Sequence, residues 1–248
     1  MLFRCSPVAL VVNPLLNSME AMGGATSVNK SYRVIIWDDL KQRSVIELEF
    51  AHEVRAVKLR RDKIVVVLPN MIKVFTFQPA PTQLHVFDTV LNMKGLCALS
   101  PTSDKALLAF PVSGEVSAVQ NANISSTGLG RVQIVDLANP DNQPITIVAH
   151  DTKLSCLQMN IQGTRLATAS DKGTLIRIFD TETGKLLSEL RRGTQAATIY
   201  SINFRYFCFL NKLVSSARAG DGAARHNTAR SAHLKISSKK AYEFMLQP

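Results

Sequence analysis

A chain of 248 residues, 46% of them hydrophobic, carries enough apolar material for one large domain or two small ones. Its net charge of +10 directs it toward anionic partners: a nucleic acid, an anionic membrane surface or an acidic protein patch. No run reaches the roughly 18 apolar residues of a transmembrane helix, and Cys5, Cys97, Cys156 and Cys208 lie too far apart for a CxxC zinc or redox site.

The first residues hold too short an apolar run, with too little basic flank, for a secretory signal. Any membrane contact is therefore expected to be peripheral. Residues 8–12 are β-rich, and residues 13–31 read as a surface loop. Residues 34–37 and 45–50 follow as short strands, the second with alternating polarity. Residues 63–68 form a continuous apolar run of the kind buried on both faces. Strands are expected next at 71–77, 83–87, 106–110, 131–135 and 144–148, with a polar, Ser-, Asn- and Gly-rich insertion at 113–130. Further strands fall at 154–157, 165–169, 175–179, 185–190 and 199–204. Beyond them the apolar pattern fails. The segment 205–248 has eight Lys or Arg against Asp221 and Glu243, supplies +6 of the net charge, and is expected to be a divergent, disordered basic tail. No segment sustains a 3.6-residue apolar period, so the class is all-β: a sandwich, a barrel or a propeller.

A repeat separates those three. Residues 154–191 contain four strands with turns at Gln162-Gly163-Thr164, Asp171-Lys172-Gly173 and Thr183-Gly184, the make-up of a four-stranded antiparallel WD40-type blade. The third strand closes in Phe179-Asp180. The same hydrophobic-Asp ending recurs at Trp37-Asp38 and Val135-Asp136, and Phe75-Thr76 holds the corresponding slot without the acid. Positions 38, 76, 136 and 180 are separated by 38, 60 and 44 residues. WD40 repeats run about 40–45 residues, and deducting the 18-residue insertion brings 60 to 42. The expected fold is an incomplete WD40-type β-propeller over residues 1–204. Its blades lie near 1–50, 51–90, 91–150 and 151–193, and another starts at 194–204. The strand at 199–204 has no partner strand later in the sequence pattern, so an open edge is expected there.

Nothing assembles a catalytic set. His52, His85, His150, His226 and His233 are scattered, and GxSxG, GxxxxGK[ST] and HExxH are all missing. The chain is expected not to be an enzyme and to carry no cofactor or metal. His150, at the turn into a blade, reads as a structural hydrogen bonder. Arg60-Arg61-Asp62-Lys63 reads as a polar hairpin turn whose charges form a solvated rim.

Leu190-Arg191-Arg192-Gly193-Thr194 differs in kind. Two arginines close a strongly apolar strand and a glycine follows. On an extended chain neighbouring side chains point to opposite faces, so Arg191 and Arg192 would serve two separate anion sites. The planar guanidinium fork suits phosphate. Gly193 would let the backbone turn sharply and leave its N–H open, while Ser170, Thr174 and Thr194 are hydroxyl donors near the loops of the same blade.

The run from Gly163 to Asp180, with Glu189-Leu190-Arg191-Arg192-Gly193-Thr194 and Ile199-Tyr200-Ser201-Ile202-Asn203-Phe204, resembles the PROPPINs, the WD-repeat phosphoinositide-interacting proteins of autophagy. Val34-Ile35-Ile36-Trp37-Asp38-Asp39-Leu40, Ala56-Val57-Lys58-Leu59-Arg60-Arg61-Asp62 and Lys94-Gly95-Leu96-Cys97-Ala98-Leu99 are similar to the same family. The resemblance covers roughly residues 32–111 and 130–204. It implies a non-catalytic propeller that binds phosphatidylinositol 3-phosphate and phosphatidylinositol 3,5-bisphosphate. It also implies a cytoplasmic protein, peripheral on phagophore, preautophagosomal or endosomal membranes, that recruits the lipid-transfer or conjugation machinery of autophagy during autophagosome assembly. By the family's Phe/Leu-Arg-Arg-Gly pattern, Arg191 would serve the first headgroup site with Ser170 and Thr174, and Arg192 the second. The family's first blade, and its sixth and seventh blades, find no counterpart. The remaining ligands of the second site and the membrane-inserting loop belong to that sixth blade. The alternative is a WD-repeat protein–protein scaffold that has lost lipid binding with those blades. A nucleic-acid partner for the basic tail is disfavoured.

Overall fold

The computed structural model of the chain describes residues 7–13, 31–101, 105–113, 130–205 and 233–238. Among them every regular element is a strand. The first sheet contains β1 (Pro7–Val12), β2 (Tyr32–Asp38) and β3 (Arg43–Phe50). The second contains β4 (Ala56–Leu59), β5 (Lys63–Val67), β6 (Met71–Thr76) and β7 (Gln83–Asp88). β8 (Ala98–Leu99), β9 (Leu107–Val112), β10 (Arg131–Asp136) and β11 (Ile145–Val148) form the third. The fourth is β12 (Leu154–Met159), β13 (Arg165–Ser170), β14 (Leu175–Asp180) and β15 (Leu186–Arg191). β16 (Ile199–Arg205) pairs with β17 (His233–Ser238) in a fifth. Within each sheet neighbours in sequence are neighbours in space and antiparallel, the arrangement of propeller blades.

The hairpin turn expected at residues 60–63 joins β4 to β5, while β8 went unread because it spans two residues. A second difference is a correction. The strand at 199–204, expected to lack a later partner, pairs along Ile199–Arg205 with β17, which lies in the segment expected to be tail. The rest of that segment, and most of the expected insertion at 113–130 and of the loop at 13–31, lie outside the described residues.

The sheets stack face to face, and strand periodicity explains the apolar runs. In β5, Ile64 and Val66 join Val34, Ile36 and Phe50 of the first sheet, while Val65 and Val67 join Leu108 and Phe110 of the third. Successive side chains point to opposite faces, so a strand sandwiched between two blades is apolar at every position. Ala109, Val132 and Ile134 meet Leu157, Leu166 and Phe179 across the next interface. Cys156, Ala167, Ala169 and Ile176 meet Ile199 and Ile202 across the last. Outer strands lose that second partner, and in β15 only Ser188 is not exposed.

The recurrent hydrophobic-Asp ending has a local cause. Asp180 Oδ1 accepts the backbone N–H of Glu182 at 3.1 Å and of Thr183 at 2.8 Å, closing the turn into β15. Asp38 accepts from Leu40 N–H and Asp136 from Ala138 N–H in the same offset. These are Asx turns, in which the side chain replaces a turn hydrogen bond. The Thr183 N–H holds the Asp180 carboxyl below the usual carboxylate range, despite partial burial. In the second sheet Thr76 substitutes: its Oγ1 accepts Thr82 N–H at 2.9 Å across a longer loop.

Candidate functional site

The fourth blade presents its arginine pair where β15 ends and the chain crosses to β16. Arg191 is the last residue of β15, registered with Leu175 on β14, and β15 is the outer edge of its sheet. Its side chain is exposed and makes no hydrogen bond or ion pair among the described residues. Arg192 is different. Its backbone N–H donates to Thr174 O at 2.8 Å. Its Nε donates to Gly173 O at 2.7 Å, and an Nη2 hydrogen goes to Gln195 O. Two of its five N–H donors are thus spent on the turn between β13 and β14 and on its own loop.

That turn is built for close approach. Gly173 has φ +60°, a left-handed conformation that L side chains rarely adopt, and a Cβ there would run into Ala197 O. Ala197 N–H donates to Lys172 O at 3.0 Å. The β13–β14 turn and the crossing loop 192–198 are therefore zipped together by backbone groups and by Arg192. Sequence reasoning marked Gly173 as a turn residue only. Its positional signal, a glycine closing Asp171-Lys172-Gly173 ahead of a strand, was legible, but the loop it would meet was not.

Gly193 does not have a positive φ, and a Cβ added there meets nothing within 4 Å. It leaves open space beside the arginines. Thr194, next along, is exposed. Thr174 is half-buried, and Ser170 is buried at the end of β13, with its carbonyl accepting from Ser155 Oγ at 2.7 Å and from Gly173 N–H at 3.0 Å. The hydroxyls of Ser170, Thr174 and Thr194 make no hydrogen bond among the described residues.

Local electrostatics favour an anion. Glu189, two residues before Arg191, is held by Arg177 Nε at 2.7 Å. Asp171 accepts Thr152 Oγ1 at 2.5 Å. Lys172 is exposed on the same turn. Neither carboxylate pairs with Arg191, which makes no ion pair among the described residues.

His150 takes the structural place. It is buried, with Nε2 2.9 Å from Thr168 Oγ1, and burial together with the Arg177 charge pushes its pKa down to about 4. It is neutral at physiological pH. No group of three or more His, Cys, Asp or Glu residues that would hold a metal ion occurs among the described residues.

A family model described as PROPPIN matches residues 7–217. The chain belongs to the PROPPIN family. Autophagy-related protein 18e of Arabidopsis thaliana is 39% identical over 190 residues, covering 75% of this chain and 46% of that protein. Autophagy-related protein 18 of Mycosarcoma maydis is 39% identical over 213 residues, 81% of this chain and 47% of the relative. Among solved structures, Hsv2 of Kluyveromyces marxianus has a TM-score of 0.57 at 28% identity, covering 82% of this chain and 54% of Hsv2. The chain spans about half the length of the curated relatives it matches. These matches support an incomplete propeller with the expected blade type.

Proposed function

We infer that this PROPPIN is a non-catalytic phosphoinositide-binding protein that acts as a membrane-recruited scaffold in autophagosome formation. The observation that carries it is Arg191: an exposed guanidinium with no ion pair among the described residues, on the outer strand of its blade, in a chain whose relatives are named autophagy-related. A 3-phosphate on an inositol ring matches the bidentate donor geometry of that group. Gly193 keeps the approach clear, Lys172 and Thr194 flank it, and Thr174 and Ser170 stand at the ends of the β13–β14 turn. The basic surface adds attraction to an anionic leaflet. Arg192 serves first as the clamp of the crossing loop and keeps its remaining N–H donors for a second phosphate.

The scaffold half of the proposal draws on a structure of KlAtg21 with the coiled coil of AgAtg16, similar to this chain at 25% identity and a TM-score of 0.55 over 70% of this chain and 53% of that one. By analogy, the partners here are other proteins of the autophagy machinery, met on phagophore or endosomal membranes.

Vesicle flotation tests the lipid half. Vesicles containing phosphatidylinositol 3-phosphate should float the protein, and vesicles with unphosphorylated phosphatidylinositol should not. Arg191→Ala should weaken retention at least tenfold, a change of about 1.4 kcal/mol. Retention within twofold of the unaltered chain would remove Arg191 from the site. Equal flotation by both lipids would leave only charge attraction.

A further inference from the structure

We propose that Thr194 is a phosphoacceptor for a kinase that selects arginines two and three residues before its target, and that phosphate on Thr194 occupies the Arg191 site and releases the protein from membranes. The second half rests on the phosphoinositide reading above; the first does not.

The sequence places Arg191 and Arg192 three and two residues before Thr194, with only Gly193 between. The structure makes that spacing usable. Thr194 is exposed, on a loop whose base is closed by the Arg192 bond to Gln195 O, so it stands at the tip. Its hydroxyl has no partner among the described residues. A kinase cleft must admit the acceptor and the residues before it as an extended segment. Arg191 is already extended, on an outer strand with an unpaired edge. Beside Gly193 there is no wall, since a Cβ there would meet nothing within 4 Å. The guanidinium three residues back is free, and only Arg192 must give up its carbonyl contacts to be read.

In the reaction Thr194 Oγ1 forms a bond to the γ-phosphorus of ATP. The bond from that phosphorus to the β–γ bridging oxygen breaks, ADP leaves, and the hydroxyl proton passes to a carboxylate of the kinase. The product carries about two negative charges and three acceptor oxygens. Glu189 is paired with Arg177, and Arg191, three residues before Thr194, has no ion pair among the described residues, so it is a cation available to that phosphate. An intramolecular phosphate beside it acts at high effective concentration against a lipid phosphate arriving from solution. Charge that attracts the leaflet is cancelled at the same time.

The experiment uses the full chain and the catalytic subunit of cyclic-AMP-dependent protein kinase, which selects arginines at those two places. With ATP, mass spectrometry should find phosphate on Thr194. Thr194→Ala should abolish it, and Arg191→Ala should slow it at least tenfold. A synthetic peptide of residues 188–198 that is phosphorylated while the folded chain is not would overturn the site. Phosphorylated protein should then bind vesicles containing phosphatidylinositol 3-phosphate at least tenfold more weakly than the same protein after phosphatase treatment. Equal binding would overturn the switch while leaving lipid recognition intact. Failure of both forms to bind would exclude lipid recognition, and the switch with it, while phosphate mapped to Thr194 would still establish the modification.

Discussion

Two arginine pairs in this chain meet opposite fates. Arg60-Arg61 lies on the turn between β4 and β5, and Arg191-Arg192 at the end of β15. In the first pair the leading arginine is taken into the structure. Its side chain is 12% exposed, its Nε donates to Asp62 at 2.9 Å, and its Nη1 donates to Ser100 O, Ser100 Oγ and Lys105 O across the gap to the third blade. The expected solvated rim is thus half right: Arg61 is exposed, but Arg60 is an interblade clamp. In the second pair the trailing arginine is the clamp and the leading one is free. The difference lies in the neighbouring acids. Asp62 sits within the first pair's own turn and also accepts Lys63 Nζ at 2.6 Å, whereas the second pair's acids serve other partners. A basic pair becomes a candidate anion site where its carboxylates are already spoken for.

The largest test separates the two clamps. Gly173→Ala forces a Cβ onto Ala197 O at a left-handed backbone position, so it should destabilise the protein by roughly 3 kcal/mol or more. Chemical denaturation would show it, and the zipped β13–β14 turn should lose amide protection before the turn around Arg60. A fully stable variant would mean that the crossing loop does not need the contact.

Acid should strike the two regions at different pH. His150 has a folded pKa near 4, below its unfolded value of 6.5, so the unfolded chain binds the extra proton between them. Stability is then full above pH 6.5 and falls as pH drops toward 4, by on the order of 2–3 kcal/mol. Around Arg60 the titrating partner is Asp62. Burial alone would raise its pKa, but Lys63 and Arg60 hold it below the ordinary aspartate value of 3.8. Its contribution is present above that value and lost only as pH falls further. A pH series of denaturation curves should show the first loss between pH 6.5 and 4, and His150→Gln should flatten it. An unchanged slope in that variant would free His150 from the assignment.

Arg60→Ala removes a largely buried, charge-assisted clamp and should cost about 2–3 kcal/mol. Lipid retention of the folded fraction should stay as it was. Arg192→Ala removes two side-chain bonds to exposed or half-buried carbonyls, and about 1–2 kcal/mol is expected. Thermal midpoints measured beside flotation would show whether stability and retention move apart, as they should for Arg60 and Arg191. The smallest effects belong to Arg191→Ala and Gly193→Ala, both within about 0.5 kcal/mol in stability, because the Arg191 side chain is exposed with no hydrogen bond or ion pair among the described residues and a Cβ at Gly193 meets nothing within 4 Å. A large loss of stability in Arg191→Ala would erase the contrast between the pairs.

Much of this fold was legible because a propeller repeats one local solution. In three of the four blades an Asp closes its own turn, so Asp38, Asp136 and Asp180 mark blades without any knowledge of their neighbours. Residues 63–68 announced burial on both faces because period-two alternation leaves no polar position in a sandwiched strand. β8 stayed hidden because two residues give no period to detect. β17 stayed hidden because Leu234 and Ile236 are its only large apolar residues in a stretch dominated by Ala, Ser, Arg and Lys, and the strand is recognised by its pairing with β16.

The amino-acid sequence by itself determined the blade type, the family pattern and the candidate arginines, since each depends on spacing along the chain. Only the tertiary structure decided which arginine of each pair is free. That outcome depends on Ser100 lying 40 residues from Arg60, on Gly173 lying 19 from Arg192, and on Arg177 reaching Glu189 first. A guanidinium is available to a ligand only when the folded chain offers it no better acceptor, and which acceptors it meets is set by the packing of one blade on the next.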